Sequence, residues 1–222
     1  MHVVLIHGMG RTPAAMWLLG RRLRGLGYTT SSFGYVVTLE NLEQIAGRFR
    51  EHVARVVDGA QSYAIIGHSL GGLLTRLVSA ELPPGWRGFV MLAPPNRQPA
   101  LVRLLSRNPL YKLVFGDTGK HLDDPDLYAR LPVPEVPTLV IAGVRGPRAA
   151  WLPFDGAPND GILRVDETEL PGAERLEVDG VHTFLMNRGD VFQAIRDFLA
   201  QRDFLPAKSA GHLQAEVSGL VE

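Results

Sequence analysis

The sequence predicts an α/β fold in which a mostly parallel central sheet of about six strands is flanked by helices. Short apolar runs alternate along the chain with longer segments of helical period, a pattern typical of a sheet covered on both faces. The chain of 222 residues is 45% apolar and 21% charged, as expected for a globular protein that buries a sizeable core. We therefore predict a single domain over residues 1–204, without internal repeats.

Six short segments are predicted to form the strands, because each is apolar or β-branched and bounded by turn-forming residues. They span residues 2–7, 28–33, 63–66, 88–92, 138–142 and 174–178. Helices are predicted over residues 13–26, 39–57, 70–80 and 190–201. In the second helix, apolar side chains recur every three or four positions, so they should form a core-facing stripe of Leu42, Ile45, Phe49, Val53 and Val56.

Two regions depart from this alternation. Residues 96–135 form an insertion rich in Leu, Arg and Pro, in which a helix near residues 101–105 should end near Asn108 because Pro109 follows. This insertion is interpreted either as a lid or pocket wall, or as a plain covering helix. The apolar residues of the C-terminal segment, 205–222, are sparse and unpatterned, which predicts a flexible tail.

Charge and composition exclude several classes of function. Lys plus Arg and Asp plus Glu both number 23, and no basic run occurs, so neither nucleic acid nor an anionic membrane is an expected partner. The absence of cysteine excludes disulfides and thiolate chemistry. No apolar stretch approaches the ~20 residues of a membrane span. The N-terminus lacks the basic region of a signal peptide, so a cytoplasmic protein is expected; its oligomeric state is not predicted.

The segment G-H-S-L-G places Ser69 between a predicted strand and a predicted helix. This is the G-x-S-x-G pattern in the context that it requires. A sharp strand-to-helix turn would crowd side chains two residues to either side, which explains Gly67 and Gly71. The turn would present the serine hydroxyl at the carboxyl end of the strand, where open α/β sheets bind ligands. The alternative interpretation is a glycine-rich turn without chemical function.

A serine hydroxyl becomes a strong nucleophile only when a neighbouring base accepts its proton. His182 is the preferred base because it follows the last strand and so reaches the same sheet edge as Ser69. His121, in the insertion, is the alternative. His7 and His68 are predicted to lie beside the substrate pocket, where they shape the first loop and the serine turn.

The base in turn requires a carboxylate that fixes its tautomer and stabilises the imidazolium. This acid should lie after the fifth strand, in a loop that contains Asp155 and Asp160, each followed by glycine. Asp160 is preferred because the apolar Ile162, Leu163 and Val165 could dock its loop against the sheet. Asp155 remains the alternative.

The developing oxyanion of an acyl transfer requires hydrogen-bond donors, each typically worth ~10²–10³ in turnover. One candidate is the backbone N–H of Leu70, directly after the serine. The other is the backbone N–H of Met9 in H-G-M-G, where Gly8 and Gly10 allow a tight turn. Taken alone, this loop is equally well interpreted as a strand-ending turn.

The motifs V-L-I-H-G-M-G-R-T, G-H-S-L-G-G-L, A-P-P-N, A-P-N-D-G and V-H-T-F-L-M resemble the α/β-hydrolase superfamily. More narrowly, they are similar to small bacterial lipase/esterase-like serine hydrolases, and the resemblance covers about residues 2–203. It implies the α/β-hydrolase fold with a minimal cap or none, and hence a shallow, open pocket. The implied catalytic groups are Ser69, Asp160 and His182, with Met9 and Leu70 as oxyanion donors.

The predicted function is therefore a serine carboxylic-ester hydrolase that acts on a small-molecule ester or a lipid, without a metal or organic cofactor. An acyltransferase or a thioesterase would use the same three side chains, and a non-catalytic binding protein of this fold is a further alternative. Leu101 and Leu105 of the insertion are predicted to line the acyl pocket. We expect a preference for short to medium acyl chains.

Overall fold

The computed structural model describes residues 1–201 and contains a six-stranded parallel sheet in the order β2-β1-β3-β4-β5-β6. Parallel strands require crossover connections, which the intervening helices provide. The strands are β1 (His2–Ile6), β2 (Thr29–Phe33), β3 (Tyr63–His68), β4 (Trp86–Leu92), β5 (Thr138–Gly143) and β6 (Glu174–Val178). The predicted α/β fold with a parallel sheet of about six strands is confirmed.

Seven α-helices lie within the described residues. They are α1 (Trp17–Gly25), α2 (Leu42–Val56), α3 (Leu70–Leu77), α4 (Ala100–Leu105), α5 (Pro109–His121), α6 (Pro125–Arg130) and α7 (Gly189–Ala200). Short 3₁₀ helices cover Pro13–Met16, Ser79–Glu81, Val165–Thr168 and His182–Asn187. The predicted helices over residues 13–26 and 70–80 are thus each divided into an α-helix and a 3₁₀ turn.

The sheet separates two apolar cores, because side chains alternate between the faces of a strand. In β1, Val4 and Ile6 pack in the core that includes α2 and α3, whereas Val3 and Leu5 pack in the core that includes α1 and α7. All four side chains are buried. Strands covered on both faces are expected to be apolar throughout, which is why β1 and β3 appear as unbroken apolar runs in the sequence.

Helix α2 confirms the stripe that its periodicity predicts. Leu42, Ile45, Phe49 and Val53 are buried, and Val56 packs partly buried against the same core. The helix begins after Asn41, whose side chain accepts a hydrogen bond from the N–H of Gln44, while the Gln44 side chain accepts one from the N–H of Asn41. This capping box explains why the helix starts three residues later than predicted.

The insertion between β4 and β5 contains three helices, α4, α5 and α6. Helix α4 ends before the predicted boundary at Asn108, and Pro109 starts α5, a position that suits proline because its missing N–H would have no partner there. Helix α5 is kinked at Gly116, where φ is 53°. The predicted tail, residues 205–222, lies outside the described residues. Within residues 1–201, no helix combines the length and apolarity needed to cross a membrane.

Candidate active site

Ser69 lies at the sharp turn between β3 and α3, with φ 51° and ψ −121°. Positive φ is unfavourable for a residue with a side chain, and such strain persists only where the surroundings hold it. Two backbone hydrogen bonds hold this turn: the N–H of Ser69 donates to the carbonyl of Leu92 at 2.8 Å, and the N–H of Gly72 donates to the carbonyl of Ser69 at 2.9 Å. Strain of this kind is concentrated at functional sites.

The two glycines that flank the serine leave no room for a side chain. A Cβ at Gly67 would lie 2.7 Å from the backbone nitrogen of Gly72, and a Cβ at Gly71 would lie 2.7 Å from the carbonyl oxygen of Ile6. These neighbours are main-chain atoms of the sheet and helix, so they cannot move aside cheaply. The turn at Ser69 therefore depends on glycine at both positions.

His182 and Asp160 are brought together from two different loops. His182 begins the 3₁₀ helix after β6, and Asp160 lies in the loop after β5. Nδ1 of His182 is 2.7 Å from Oδ2 of Asp160, and the exposed fractions of the two side chains are only 10% and 1%. Because a carboxylate accepts, the imidazole donates through Nδ1, which leaves Nε2 of the neutral ring free to act as a base.

The carboxylate of Asp160 is itself fixed by its own loop. Its Oδ1 accepts hydrogen bonds from the backbone N–H groups of Ile162 at 2.9 Å and Leu163 at 2.8 Å. Leu163 and Val165 are buried, as expected of residues that dock the loop, whereas Ile162 is exposed. The orientation of the acid is thus fixed by the backbone of its own loop.

The alternative residues make other contacts. Asp155 has an 81% exposed side chain whose nearest cation is Arg164, at 3.8 Å. His121 lies at the end of α5, where Nδ1 is 2.9 Å from the carbonyl oxygen of Asp117. The structure pairs His182 with Asp160 and gives Asp155 and His121 different partners.

The loop after β1 packs directly against the serine. A Cβ at Gly8 would lie 3.0 Å from Cβ of Ser69 and 2.8 Å from Nδ1 of His68, so only glycine allows this approach. Met9, next in the chain, is partly buried, and Leu70 is the buried first residue of α3. Within residues 1–201, none of the backbone–backbone hydrogen bonds outside the helices and strands uses the N–H of Met9.

His7 and His68, predicted beside the pocket, are both buried, and their rings bond to main-chain groups. Nδ1 of His7 donates to the carbonyl of Gly8 at 2.8 Å, and the ring stacks on Tyr35 with a centroid distance of 4.4 Å. Nε2 of His68 donates to the carbonyl of His182 at 3.0 Å. Burial lowers the pKa of both histidines. Of the two predicted pocket leucines in α4, Leu101 is partly buried and Leu105 is exposed.

Among the described residues, no hydrogen bond joins Ser69 to His182; the ring of His182 bonds to Asp160. Their segments are nevertheless neighbours, because His68 adjoins Ser69 and its ring lies 4.9 Å from that of His182. Hydrogen bonds between a nucleophile and its base often shorten when a substrate binds.

A buried arginine in α3, the helix that follows Ser69, was not anticipated from the sequence. Arg76 of α3 donates to the carbonyls of Leu131 and Pro132 and to the side-chain oxygen of Asn96, at 2.8–2.9 Å. Desolvation lowers its pKa to about 10, so the guanidinium remains charged at neutral pH. These contacts tie the serine helix to the beginning and the end of the insertion. The available signal was a charged residue within the apolar run L-L-T-R-L-V.

A second unanticipated residue is Asn159, which is fully buried beside Asp160. Its side-chain N–H groups donate to the carbonyls of Pro147 and Ala157, and its oxygen accepts from the N–H of Gly161, all at 2.9 Å. The signal was its place in A-P-N-D-G. Among residues 1–201, no group of three or more His, Asp or Glu side chains is arranged to hold a metal ion.

Comparison with known proteins agrees with this fold. The model of a family described as "Alpha/beta hydrolase family" matches residues 3–217. No curated protein sequence is significantly similar to the chain. Among solved structures, mature Bacillus licheniformis lipase BlEst2 is similar with a TM-score of 0.66 and 15% identity, over 87% of this chain and 89% of that one.

Two further solved structures are similar at the level of the fold. A lipase-esterase related protein from Clostridium acetobutylicum has a TM-score of 0.57 and 16% identity, over 89% of this chain and 93% of that one. A structure from a study of LipS and LipT, two metagenome-derived lipolytic enzymes, has a TM-score of 0.65 and 16% identity, over 90% and 93%. At these identities the likeness concerns the fold, and function must be argued from the site.

Proposed function

Because the chain belongs to the alpha/beta hydrolase family, we propose that it is a serine hydrolase of carboxylic esters. The observation that carries the proposal is the hydrogen bond of 2.7 Å between His182 and Asp160, two residues from separate loops. Both loops follow parallel strands, so they lie at the carboxyl edge of the sheet, as does the turn that bears Ser69. A base oriented by a buried acid, at the same sheet edge as a serine on a strained turn, suits nucleophilic catalysis.

In the proposed acylation, Oγ of Ser69 attacks the ester carbonyl carbon while Nε2 of His182 takes the hydroxyl proton. A carbon–oxygen bond forms, and the carbonyl electron pair moves onto oxygen. Asp160 stabilises the imidazolium that results, because its carboxylate accepts the hydrogen bond from Nδ1. The N–H groups of Met9 and Leu70 donate to the oxyanion.

Collapse of this intermediate breaks the bond to the leaving alkoxide, which receives the proton from His182. A water molecule then attacks the acyl-enzyme, gives its proton to His182 and forms a second tetrahedral intermediate. Its collapse breaks the ester bond to Ser69, returns the proton to the serine oxygen and releases the carboxylic acid. Both acylation and deacylation use only side chains and backbone groups of the chain, together with the ester and water.

The surroundings of His182 favour an apolar substrate. Val181 directly precedes His182, Phe184 lies two residues after it, and Ile162 lies two residues after Asp160; all three side chains are exposed. We propose that these side chains contact the apolar part of a substrate bound beside His182. The solved structures similar in fold include proteins named lipase and esterase. We therefore assign a small-molecule ester or a lipid as substrate.

The test is Ser69→Ala, assayed on p-nitrophenyl butyrate and with a fluorophosphonate that labels activated serines. We expect turnover to fall by about 10⁴-fold or more and labelling to disappear. The matched control is Ser62→Ala, since Ser62 directly precedes β3 and so lies at the opposite edge of the sheet. Wild-type turnover in the Ser69 variant would end the proposal.

A further inference from the structure

His68 lies between the segments that carry the proposed oxyanion donor and the proposed base. Its side chain is buried, and its Nε2 is 3.0 Å from the carbonyl oxygen of His182. A carbonyl can only accept, so the proton of the neutral ring is on Nε2. Nδ1 then carries a lone pair, has no hydrogen-bond partner, and faces Gly8 so closely that a Cβ there would be 2.8 Å away.

Residue 182 is held at several points. Its N–H donates to the carbonyl of Asp160 at 2.9 Å, and its ring donates to the Asp160 carboxylate. The next carbonyl, that of Thr183, accepts from Arg11 at 3.1 Å. The hydrogen bond from His68 differs from these, because it comes from the strand that ends at the serine turn. It connects the base to the nucleophile through a single side chain.

We propose that His68 is a positioning residue that sets the distance between the imidazole of His182 and the hydroxyl of Ser69. The inference rests on the proposed function, in which a proton passes between these two groups. The link is short, since His68 is bonded directly to Ser69 in the chain and hydrogen-bonded to the backbone of His182. A misplacement of ~1 Å between reacting groups can reduce the rate ~10²-fold, so this link acts on turnover.

The side chain at position 68 must donate a hydrogen bond to the His182 carbonyl without carrying a positive charge. The ring centroids of His68 and His182 are 4.9 Å apart, and His182 becomes positively charged during the proposed reaction. Desolvation lowers the pKa of His68 well below its ordinary value of 6.5, with the charges of His182, Arg11 and His7 acting in the same direction. The buried ring thus adds no second positive charge. A lysine or arginine would supply a donor but also a cation.

The experiment compares His68→Phe with His68→Gln. Phenylalanine keeps an aromatic ring but removes the donor to the His182 carbonyl, whereas the glutamine amide offers an N–H in a similar place. We expect the phenylalanine variant to lose about 10- to 100-fold in kcat with little change in KM, and the glutamine variant to stay within about threefold of wild type. His52→Phe on α2 is the matched control, and we expect it to leave kcat unchanged.

A spectroscopic readout separates positioning from general damage. The proton between Nδ1 of His182 and Asp160 should give a downfield NMR signal in both His68 variants, because neither substitution touches that pair. A phenylalanine variant that has this signal, melts like wild type and turns over at the wild-type rate would overturn the inference. If the His68→Phe variant does not fold, the His68→Gln variant decides the question. A folded His68→Gln variant that loses tenfold or more in kcat overturns the positioning role, and one with a near-normal kcat supports it.

The same experiments distinguish the two proposals. Full activity of Ser69→Ala overturns the proposed function and, with it, the role of His68. Serine-dependent turnover that is unchanged in His68→Phe overturns the positioning role alone.

Discussion

Replacement of Asp160 by asparagine tests the assignment of the acid with little change in shape. Oδ1 of Asp160 accepts two backbone N–H groups, and asparagine keeps that oxygen. Oδ2, which accepts from Nδ1 of His182 at 2.7 Å, is replaced by an NH₂ group that can only donate. His182 must then accept through Nδ1 and carry its proton on Nε2, where it can no longer take the proton of Ser69.

The magnitude follows from the two roles of the carboxylate. A wrong tautomer in a serine, histidine and aspartate triad costs about 10⁴-fold in kcat, which equals about 5.5 kcal/mol of transition-state stabilisation. Stability should change far less, because the two N–H groups of Ile162 and Leu163 keep a neutral acceptor in place of a charged one. We expect a loss of about 1–3 kcal/mol from that exchange.

The assay is kcat/KM on p-nitrophenyl butyrate, with a thermal melt of the same sample. The control is Asp155→Asn, which removes the same charge from the same loop at a side chain that is 81% exposed. We expect that control to stay within about twofold of wild type in kcat/KM and within about 0.5 kcal/mol in stability. A folded Asp160→Asn protein that retains a tenth or more of wild-type activity would refute the assignment, as would a large loss in Asp155→Asn.

Three further predictions concern stability. Gly71→Ala should prevent folding or lower the melting temperature severely, because its Cβ would meet the carbonyl oxygens of Ile6 and His7 at 2.7 and 2.8 Å. Gly47→Ala should instead raise the free energy of unfolding by about 0.5–1 kcal/mol, because Gly47 lies inside α2 and its Cβ would meet nothing within 4 Å. If the two variants shift the melting temperature alike, the steric argument is contradicted. Arg76→Met should destabilise by about 3–5 kcal/mol in urea unfolding, because three buried acceptors lose their donor, and an unchanged midpoint would show that the arginine is dispensable. Stability should fall as the pH drops below about 6.5, since the unfolded chain takes up a proton at His68 that the folded chain, with its lowered pKa, does not bind. This residue changes the free energy of unfolding by at most about 1.4 kcal/mol per pH unit. Urea titrations at pH 7 and pH 5 should therefore show a smaller loss of stability for His68→Gln than for wild type. An equal loss of stability would contradict the lowered pKa of His68.

The local features of the candidate site were readable from the sequence. The end of the strand at His68, the start of the helix at Leu70 and the two flanking glycines lie within five residues, and their geometry depends on neighbouring backbone atoms. The stripe of α2 was equally predictable, because a period of 3.6 residues places its apolar side chains on one face. The first and last residues of helices and strands were less predictable, since a cap such as Asn41 shifts the start of a helix by several residues.

By itself, the sequence determined the α/β fold, the serine turn and the short set of residues able to serve as base and acid. The sequence preferred Asp160 to Asp155, but only the tertiary structure shows that the two differ in burial and partners, which depend on how the loop folds back on the sheet. The contact between His68 and His182 joins residues 114 positions apart, and Arg76 reaches carbonyls 55 and 56 positions away. Local periodicity carries no information about such pairs, since the packing of the whole chain brings them within hydrogen-bonding distance.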